Sequence, residues 1–333
     1  MSTPERFNRF YLGFDIGGTK STVVLGDEAG AMLRSETVET DLAVGPGAMI
    51  GRLCGIAERI VSEHGLAHAP PVGISCGGPL DSYHGIIHSP PNLPDWNEIP
   101  IVELVEKRLG AAVKLQNDAN ACALAEWRFG AGRGSSNMIF LTFGTGMGAG
   151  LVLNGNLYSG TNDMAGEIGH VRMEPDGPLG YGKHGSFEGF CSGAGIARLA
   201  QQIVRRKWAE GGEVPFCRSE ADLAGLDART VGVAALDGDA IAREIIETSG
   251  EYLGRGLAIL VDVLNPERIV IGSIFVRLEP LLRPRMEAVL RRECLERSAA
   301  VCRVVPAALG EDVGKLAALS VAMQPPAKSG GTQ

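Results

Sequence analysis

Two runs of strand-forming residues, each broken by glycines, constrain this chain more than anything else in it. Tyr11 to Leu25 (YLGFDIGGTKSTVVL) and Asn137 to Gly155 (NMIFLTFGTGMGAGLVLNG) both read as strand, tight turn, strand. In the second run four glycines fall between Gly144 and Gly150, and the flanks Met138 to Phe143 and Ala149 to Leu153 are rich in Ile, Leu, Phe and Val. Such a turn can serve only to reverse the chain. It also removes every side chain that would keep a phosphate from the backbone N–H groups, and Thr145 adds a hydroxyl. One copy leaves both readings open. Two copies in separate halves of the chain, with Asp15 at the end of the first strand, point to a nucleotide held by one turn from each side.

The 333 residues are enough for two domains, and 45% hydrophobic with 21% charged residues is the composition of an ordinary globular protein. A formal net charge of −8 without a long Lys or Arg run argues against nucleic acid as the main partner. The opening MSTPERFNRFYLGF has charges where a secretory signal needs an apolar core, and no apolar stretch is long enough to span a bilayer. The expectation is a cytoplasmic protein with no membrane partner. Seven scattered cysteines with no CxxC spacing read as reduced, mostly buried thiols.

Taken in order, residues 1 to 9 read as a flexible arm and Ala31 to Val38 as a third strand. A helix follows from Gly47 to His64, with Ile50, Leu53, Ala57, Ile60 and Val61 on one face. The strand Val72 to Ser75 runs into Cys76-Gly77-Gly78-Pro79, where backbone rather than side chain is presented. The proline-rich loop from Ser82 to Asp95 is either a surface connection or a substrate-facing loop. After a helix from Glu98 to Leu109 and a strand from Ala112 to Gln116 come Asn117 and Asp118, ahead of a helix from Ala121 to Phe129. A carboxylate and an amide there can be a simple helix cap or a reactive pair.

Further on, Glu167 and His170 stand three residues apart in GEIGH, open to reading as solvated side chains or as contacts, and Glu188 follows in GSFEGF. The pattern predicts helices over Phe190 to Trp208, Asp239 to Leu264, Val276 to Arg292 and Asp312 to Met323, with strands at Arg268 to Ile271 and Cys302 to Val305. Residues 209 to 220 read as a loop and the tail PPAKSGGTQ as disordered. Gly254 and Gly256 inside the long helix mark either a close helix contact or a nucleotide-facing backbone.

Six motifs in order resemble the bacterial repressor, open reading frame and kinase family, ROK, within the actin, hexokinase and Hsp70 superfamily. They are DIGGTK at 15 to 20, GGP at 77 to 79, NDAN at 117 to 120, GTGMGAG at 144 to 150, GEIGH at 166 to 170 and LNPERIVIG at 264 to 272. The resemblance implies a two-domain α/β actin-like ATPase (ribonuclease H-like) fold with an interdomain cleft. Its domains would be 10 to 117 plus 311 to 324, and 118 to 310. It implies an ATP-dependent kinase for the 6-hydroxyl of a hexose or N-acetylhexosamine, using Mg²⁺, and a homodimer. Asp118 is then the general base. Gly78, Asn117, Asp118, Glu167, His170 and Glu188 would bind the sugar. Asp15, Gly17, Gly18, Thr19 and Lys20, with Gly144, Thr145, Gly146 and Gly148, would hold the nucleotide and its metal, and Gly272 would join the adenosine site, with Ser273 where the family has a second glycine.

Many family members carry a cysteine cluster after GH that binds a structural zinc together with that histidine. Here the three cysteine positions hold Leu179, Tyr181 and Ser186. Zinc needs nitrogen or sulfur ligands in a tetrahedral array, so it is expected absent, and His170 must be oriented by another partner. The family also contains repressors with a helix-turn-helix ahead of the first hairpin, for which the ten residues before Tyr11 leave no room. A non-catalytic sugar sensor or an actin-like structural protein is the remaining alternative.

Overall fold

The computed structural model describes residues 9–325, so the readings of an arm and a tail fall, but for Arg9 and Pro325, outside the described residues. Two compact units result. The first holds the described residues up to Gly130, Gly160–Asp163 and those from Leu309 onward; the second holds Ala131–Ser159 and Met164–Ala308.

In the first unit, alternating apolar residues give the strands β1 (Phe10–Ile16), β2 (Lys20–Asp27), β3 (Met32–Glu39), β4 (Val72–Cys76), a short pair β5 (Leu80–Asp81) and β6 (Ile86–Ile87), and β7 (Val113–Asn117). The main sheet runs β3-β2-β1-β4-β7. β1 to β3 form an antiparallel meander; β4 and β7 join in parallel through helices α1 (Gly45–Glu63) and α2 (Ile101–Leu109). Leu12, Phe14, Leu53, Ile60, Ile74 and Trp96 fill the core beneath α1.

The other face is covered by α3 (Asp118–Phe129) and by the terminal helix Val313–Ala322. That helix, VGKLAALSVA, lies so close that a Cβ at Gly73 would stand 2.1 Å from the Ala318 carbonyl, and one at Gly13 2.8 Å from Ala318 Cβ. Its Leu316, Leu319 and Val321 are buried, each worth roughly 1.5–3 kcal/mol against leaving it in water. The boundary between units thus comes after Gly130, not before Asp118: α3 packs on the terminal helix. Residues 160–163 belong here because Asp163 accepts from the Ser82 amide at 2.7 Å and from its hydroxyl at 2.8 Å.

The second unit repeats the strand order. β8 (Met138–Leu141), β9 (Ala149–Leu153) and β10 (Asn156–Tyr158) form the meander, β13 (Arg268–Ile271) and β14 (Arg303–Pro306) join in parallel, and the sheet runs β10-β9-β8-β13-β14. Between the meander and β13 lie a short pair, β11 (Leu179–Gly180) and β12 (Lys183–His184), and five helices, α4 (Phe187–Phe190), α5 (Gly193–Ala209), α6 (Glu220–Ala224), α7 (Ala228–Leu236) and α8 (Ala240–Leu264); α9 (Ile274–Glu293) and α10 (Glu296–Val301) follow β13.

The helix expected from Phe190 breaks at Cys191, since Ser186 caps α4 and Ser192 caps α5. Gly254 and Gly256 prove to be packing positions. A Cβ at Gly254 would meet the Met286 carbonyl of α9 at 2.6 Å, and one at Gly256 the Phe187 ring at 2.3 Å. All seven cysteines are free, and no helix of the described residues is long and apolar enough to cross a membrane.

Candidate active site

The first glycine turn is built from β1 and β2. Gly17 donates to the Lys20 carbonyl at 3.1 Å, closing it, and the Thr40 hydroxyl donates to the Gly17 carbonyl at 2.7 Å while accepting from the Ser21 hydroxyl at 2.8 Å. Thr19 and Lys20 are exposed at its tip. The loop between Ser82 and Asp95 folds onto it: a Cβ at Gly18 would stand 2.5 Å from the Asn92 carbonyl, and one at Gly77 3.1 Å from Asn92 Oδ1. Asn92 therefore packs between Gly18 of the expected nucleotide turn and Gly77 next to the expected sugar contact Gly78, a placement no local pattern announces.

Asp15, at the end of β1, lies against the start of the terminal helix, where a Cβ on Gly314 would be 2.3 Å from its Oδ2. Burial pushes the Asp15 carboxyl up to about 6; the negative charge of Asp118 adds to this and the Lys20 ammonium opposes it.

The strand β7 ends on Asn117, and α3 begins at Asp118, three residues earlier than the sequence pattern predicts. The cause is the cap: Asn117 Oδ1 accepts from the Ala119 amide at 2.9 Å, and Asp118 Oδ1 accepts from the same amide at 2.8 Å. Capping does not use up either side chain. The Asn117 amide nitrogen faces Gly78, 3.1 Å from where a Cβ there would stand, and Asp118 Oδ2 takes no hydrogen bond from another described residue. Asp118 keeps solvent access, yet protein atoms crowd it enough that desolvation raises its pKa against the lowering effect of the Ala119 and Asp118 N–H groups. One helix start thus carries a cap, an amide and a carboxylate of raised proton affinity.

In the second unit the turn is held by Gly144 donating to the Gly146 carbonyl at 3.1 Å and Gly148 donating to Thr142 Oγ1 at 2.8 Å. The start of α5 ties down its other side, Gly193 donating to the Gly144 carbonyl at 2.7 Å and Ala194 to that of Thr145 at 3.4 Å. Glu188, in the first turn of α4, accepts from the Met147 amide through Oε2 at 3.0 Å, and the same oxygen is 3.0 Å from where a Gly146 Cβ would stand. The Glu167 and His170 segment lies on this hairpin, since Gly166 accepts from the Ala149 amide at 2.8 Å and a Cβ at Gly169 would be 2.2 Å from the Met147 carbonyl. Glu167 and His170 are both exposed. Gly272 closes β13, donating to the Leu141 carbonyl at 3.0 Å. The residue after it, Ser273, has φ 51 and ψ −107, a conformation suited to glycine.

Two clusters, one in each unit, thus share a pattern: a glycine turn with carboxylates beside it. Residues 11–324 match the ROK family. The chain is a member of that family. A glucokinase of Thermotoga maritima is 36% identical to this ROK chain over 316 residues, 93% of this chain and 96% of that protein. A Streptomyces griseus ROK glucokinase solved in complex with glucose and AMPPNP superposes with a TM-score of 0.73 at 30% identity, covering 95% of this chain and 100% of that one. The Escherichia coli transcriptional repressor Mlc is 32% identical over 225 residues, 67% of this chain and 53% of the repressor. The fold is that of the actin-like ATPases to which ROK proteins belong.

This ROK chain does not fit the structural zinc that its family resemblance implies. Leu179 offers no donor, Tyr181 points its ring at that of His170 with centroids 6.3 Å apart, and Ser186 is spent capping α4. Among the described residues no group of three or more His, Cys, Asp or Glu could hold a metal ion.

Proposed function

We propose that the chain is an ATP-dependent sugar kinase that transfers the γ-phosphoryl group to the 6-hydroxyl of a hexose, with glucose the first candidate and N-acetylhexosamines the second. The observation that carries the reading is Asp118: a carboxylate at a helix start, with one oxygen that takes no hydrogen bond from another described residue and with its proton affinity raised, beside Asn117 and Gly78. The glucokinase relatives support the choice of reaction and of donor.

In this mechanism Asp118 Oδ2 accepts the proton of the sugar hydroxyl as its oxygen attacks phosphorus, and a raised pKa makes it a stronger base than a solvated carboxylate. The Asn117 amide and the Gly78 backbone orient sugar hydroxyls. Glu167, His170 and Glu188 supply acceptors and an imidazole for the other ring hydroxyls, which is where discrimination among sugars would reside. The two glycine turns present N–H groups to phosphate oxygens.

Asp15 and Asp118 offer hard oxygen donors, and a site with one or two carboxylates suits Mg²⁺, which takes its remaining ligands from water and phosphates. The chemistry a bound Mg²⁺ would supply is positive charge against the phosphates of the nucleotide. Asp15 would hold it, and a bound cation would relieve the repulsion between the two carboxylates.

The test is ADP release from Mg-ATP over a panel of hexoses and N-acetylhexosamines, with Asp118→Asn as control. Turnover on one sugar, lost in the variant, establishes the kinase. Sugar binding by calorimetry without turnover on any acceptor would instead put the chain with the sensors of its family, to which the Mlc match also leads.

A further inference from the structure

The segment from His170 to Glu188 carries two of the residues assigned to sugar contact, so its part in sugar binding rests on the kinase reading. It has little regular structure of its own. Two strands of two residues each and glycines at φ 146, 75 and 65 (Gly177, Gly182, Gly185) leave it a large ordering entropy to overcome. A structural zinc would tie such a segment through its side chains. None fits here, and the groups that converge on the segment instead are cations aimed at backbone carbonyls.

Arg172 Nη1 donates to the His184 carbonyl at 2.7 Å and to that of Pro175 at 3.3 Å. Lys183 Nζ donates to the His170 carbonyl at 2.8 Å. From outside the segment, Arg198 on α5 reaches the Leu179 carbonyl through Nη1 at 2.6 Å, at a position where the family's cysteine would stand. Backbone bonds close the ring, Met173 and Glu174 both donating to the Gly185 carbonyl and Phe187 to that of Val171. The whole is anchored on α8, where the Glu174 carboxylate meets Arg255 at 2.6 Å and the Tyr252 hydroxyl at 3.2 Å, and the Tyr252 ring stacks on Phe190 at 3.5 Å.

We infer that Arg172, Lys183 and Arg198 are positioning residues. Their three cations, bonded to four backbone carbonyls, hold the segment in its sugar-binding form without a metal ion. Charge-assisted hydrogen bonds are the stronger kind, and water weakens them at the surface. Arg198 and Lys183 are half-buried and carry most of the effect; Arg172 is exposed and carries the least.

The experiment has two arms. Metal analysis of the purified protein should find far less than one zinc per chain. Amide hydrogen exchange across residues 171–189 should be unchanged by dialysis against a chelator. In Arg198→Ala and Lys183→Ala, exchange across that segment should quicken by about tenfold while α8 stays protected, which shows that the fold is intact. The KM for sugar should rise about tenfold with kcat within about twofold, and Arg198→Lys should recover most of both. Stoichiometric zinc with chelator-sensitive protection overturns the inference, as do alanine variants with wild-type exchange and KM. If the wild-type protein turns over no sugar, the kinase reading fails, while the zinc and exchange measurements still decide whether the segment is held without metal.

Discussion

The two glycine turns occupy matching places in two sheets of the same strand order, yet they are held by different means. The first is closed by a hydroxyl, Thr40, and walled by the backbone of Asn92. The second is tied to the start of α5 and walled by the carboxylate of Glu188. Beside the first stand two carboxylates whose proton affinities are raised; beside the second stand the exposed Glu167 and His170. On the proposed mechanism this duplicated frame is given unequal work, the first unit supplying the base Asp118 with Asn117 and Gly78 beside it, and the second supplying the remaining sugar contacts.

The largest test of this division is Asp118→Asn, which should lower kcat by about 10³-fold while calorimetry finds sugar affinity within about threefold of wild type. A variant that instead loses sugar binding with its kcat intact would move the chemistry elsewhere.

Next come matched substitutions in the two turns. A methyl group at Gly18 meets backbone and cannot be accommodated by a side-chain shift, so Gly18→Ala should cut kcat/KM for ATP by about 100-fold. At Gly146 the methyl meets only the end of Glu188, so Gly146→Ala should raise the sugar KM by about tenfold through that carboxylate and weaken ATP use less than Gly18→Ala does. Equal effects on both substrates in both variants would break the comparison.

Acidity separates the turns further. Asp15 gains its proton as the pH falls through about 6, so kcat/KM for Mg-ATP should drop below that pH. The stability effect has the opposite sign. The folded pKa of Asp15 lies above its unfolded value of 3.8, so the folded state binds the proton more tightly and this group favours folding increasingly as the pH falls from about 6 to 4. At neutral pH its buried charge is therefore destabilising, on the order of 2–3 kcal/mol. Asp15→Asn should melt higher than wild type at pH 7.5, with the gap closing towards pH 4; a gap independent of pH would remove Asp15 as its source.

The smallest effects lie in the supports. Thr40→Val should destabilise by about 1 kcal/mol through the lost bond to Gly17. Ser273→Gly should stabilise by about the same amount, since it relieves a serine held at φ 51. Denaturant melts measure both.

The elements at these turns were legible because strand periodicity and glycine clustering are local signals. Met138 to Phe143, Asp15 and Asn117-Asp118 could be found without knowing what lies across the fold. Asn92, Thr40 and Gly314 could not, because each matters through a neighbour far away in sequence: Gly18, Gly17 and Asp15 respectively. Glu126 is another such residue, a fully buried carboxylate that accepts from the Leu309 amide at 3.0 Å. The helices α6 and α7 do carry a local signal, the caps Ser219 and Asp227, each accepting from an amide three residues on. The segment from His170 to Glu188 was legible only as a missing set of cysteines, since cations that bond to carbonyls leave no spacing rule behind.

The packing of the terminal helix against Gly13 and Gly73 also sets an order on synthesis. Strands made within the first 117 residues lack one cover for their sheet until residues 313–322 leave the ribosome, by which time every strand of the second unit has already emerged. The unit begun first is the last to be completed, and during that interval its small-residue face is open to whatever chaperone or neighbouring chain meets it.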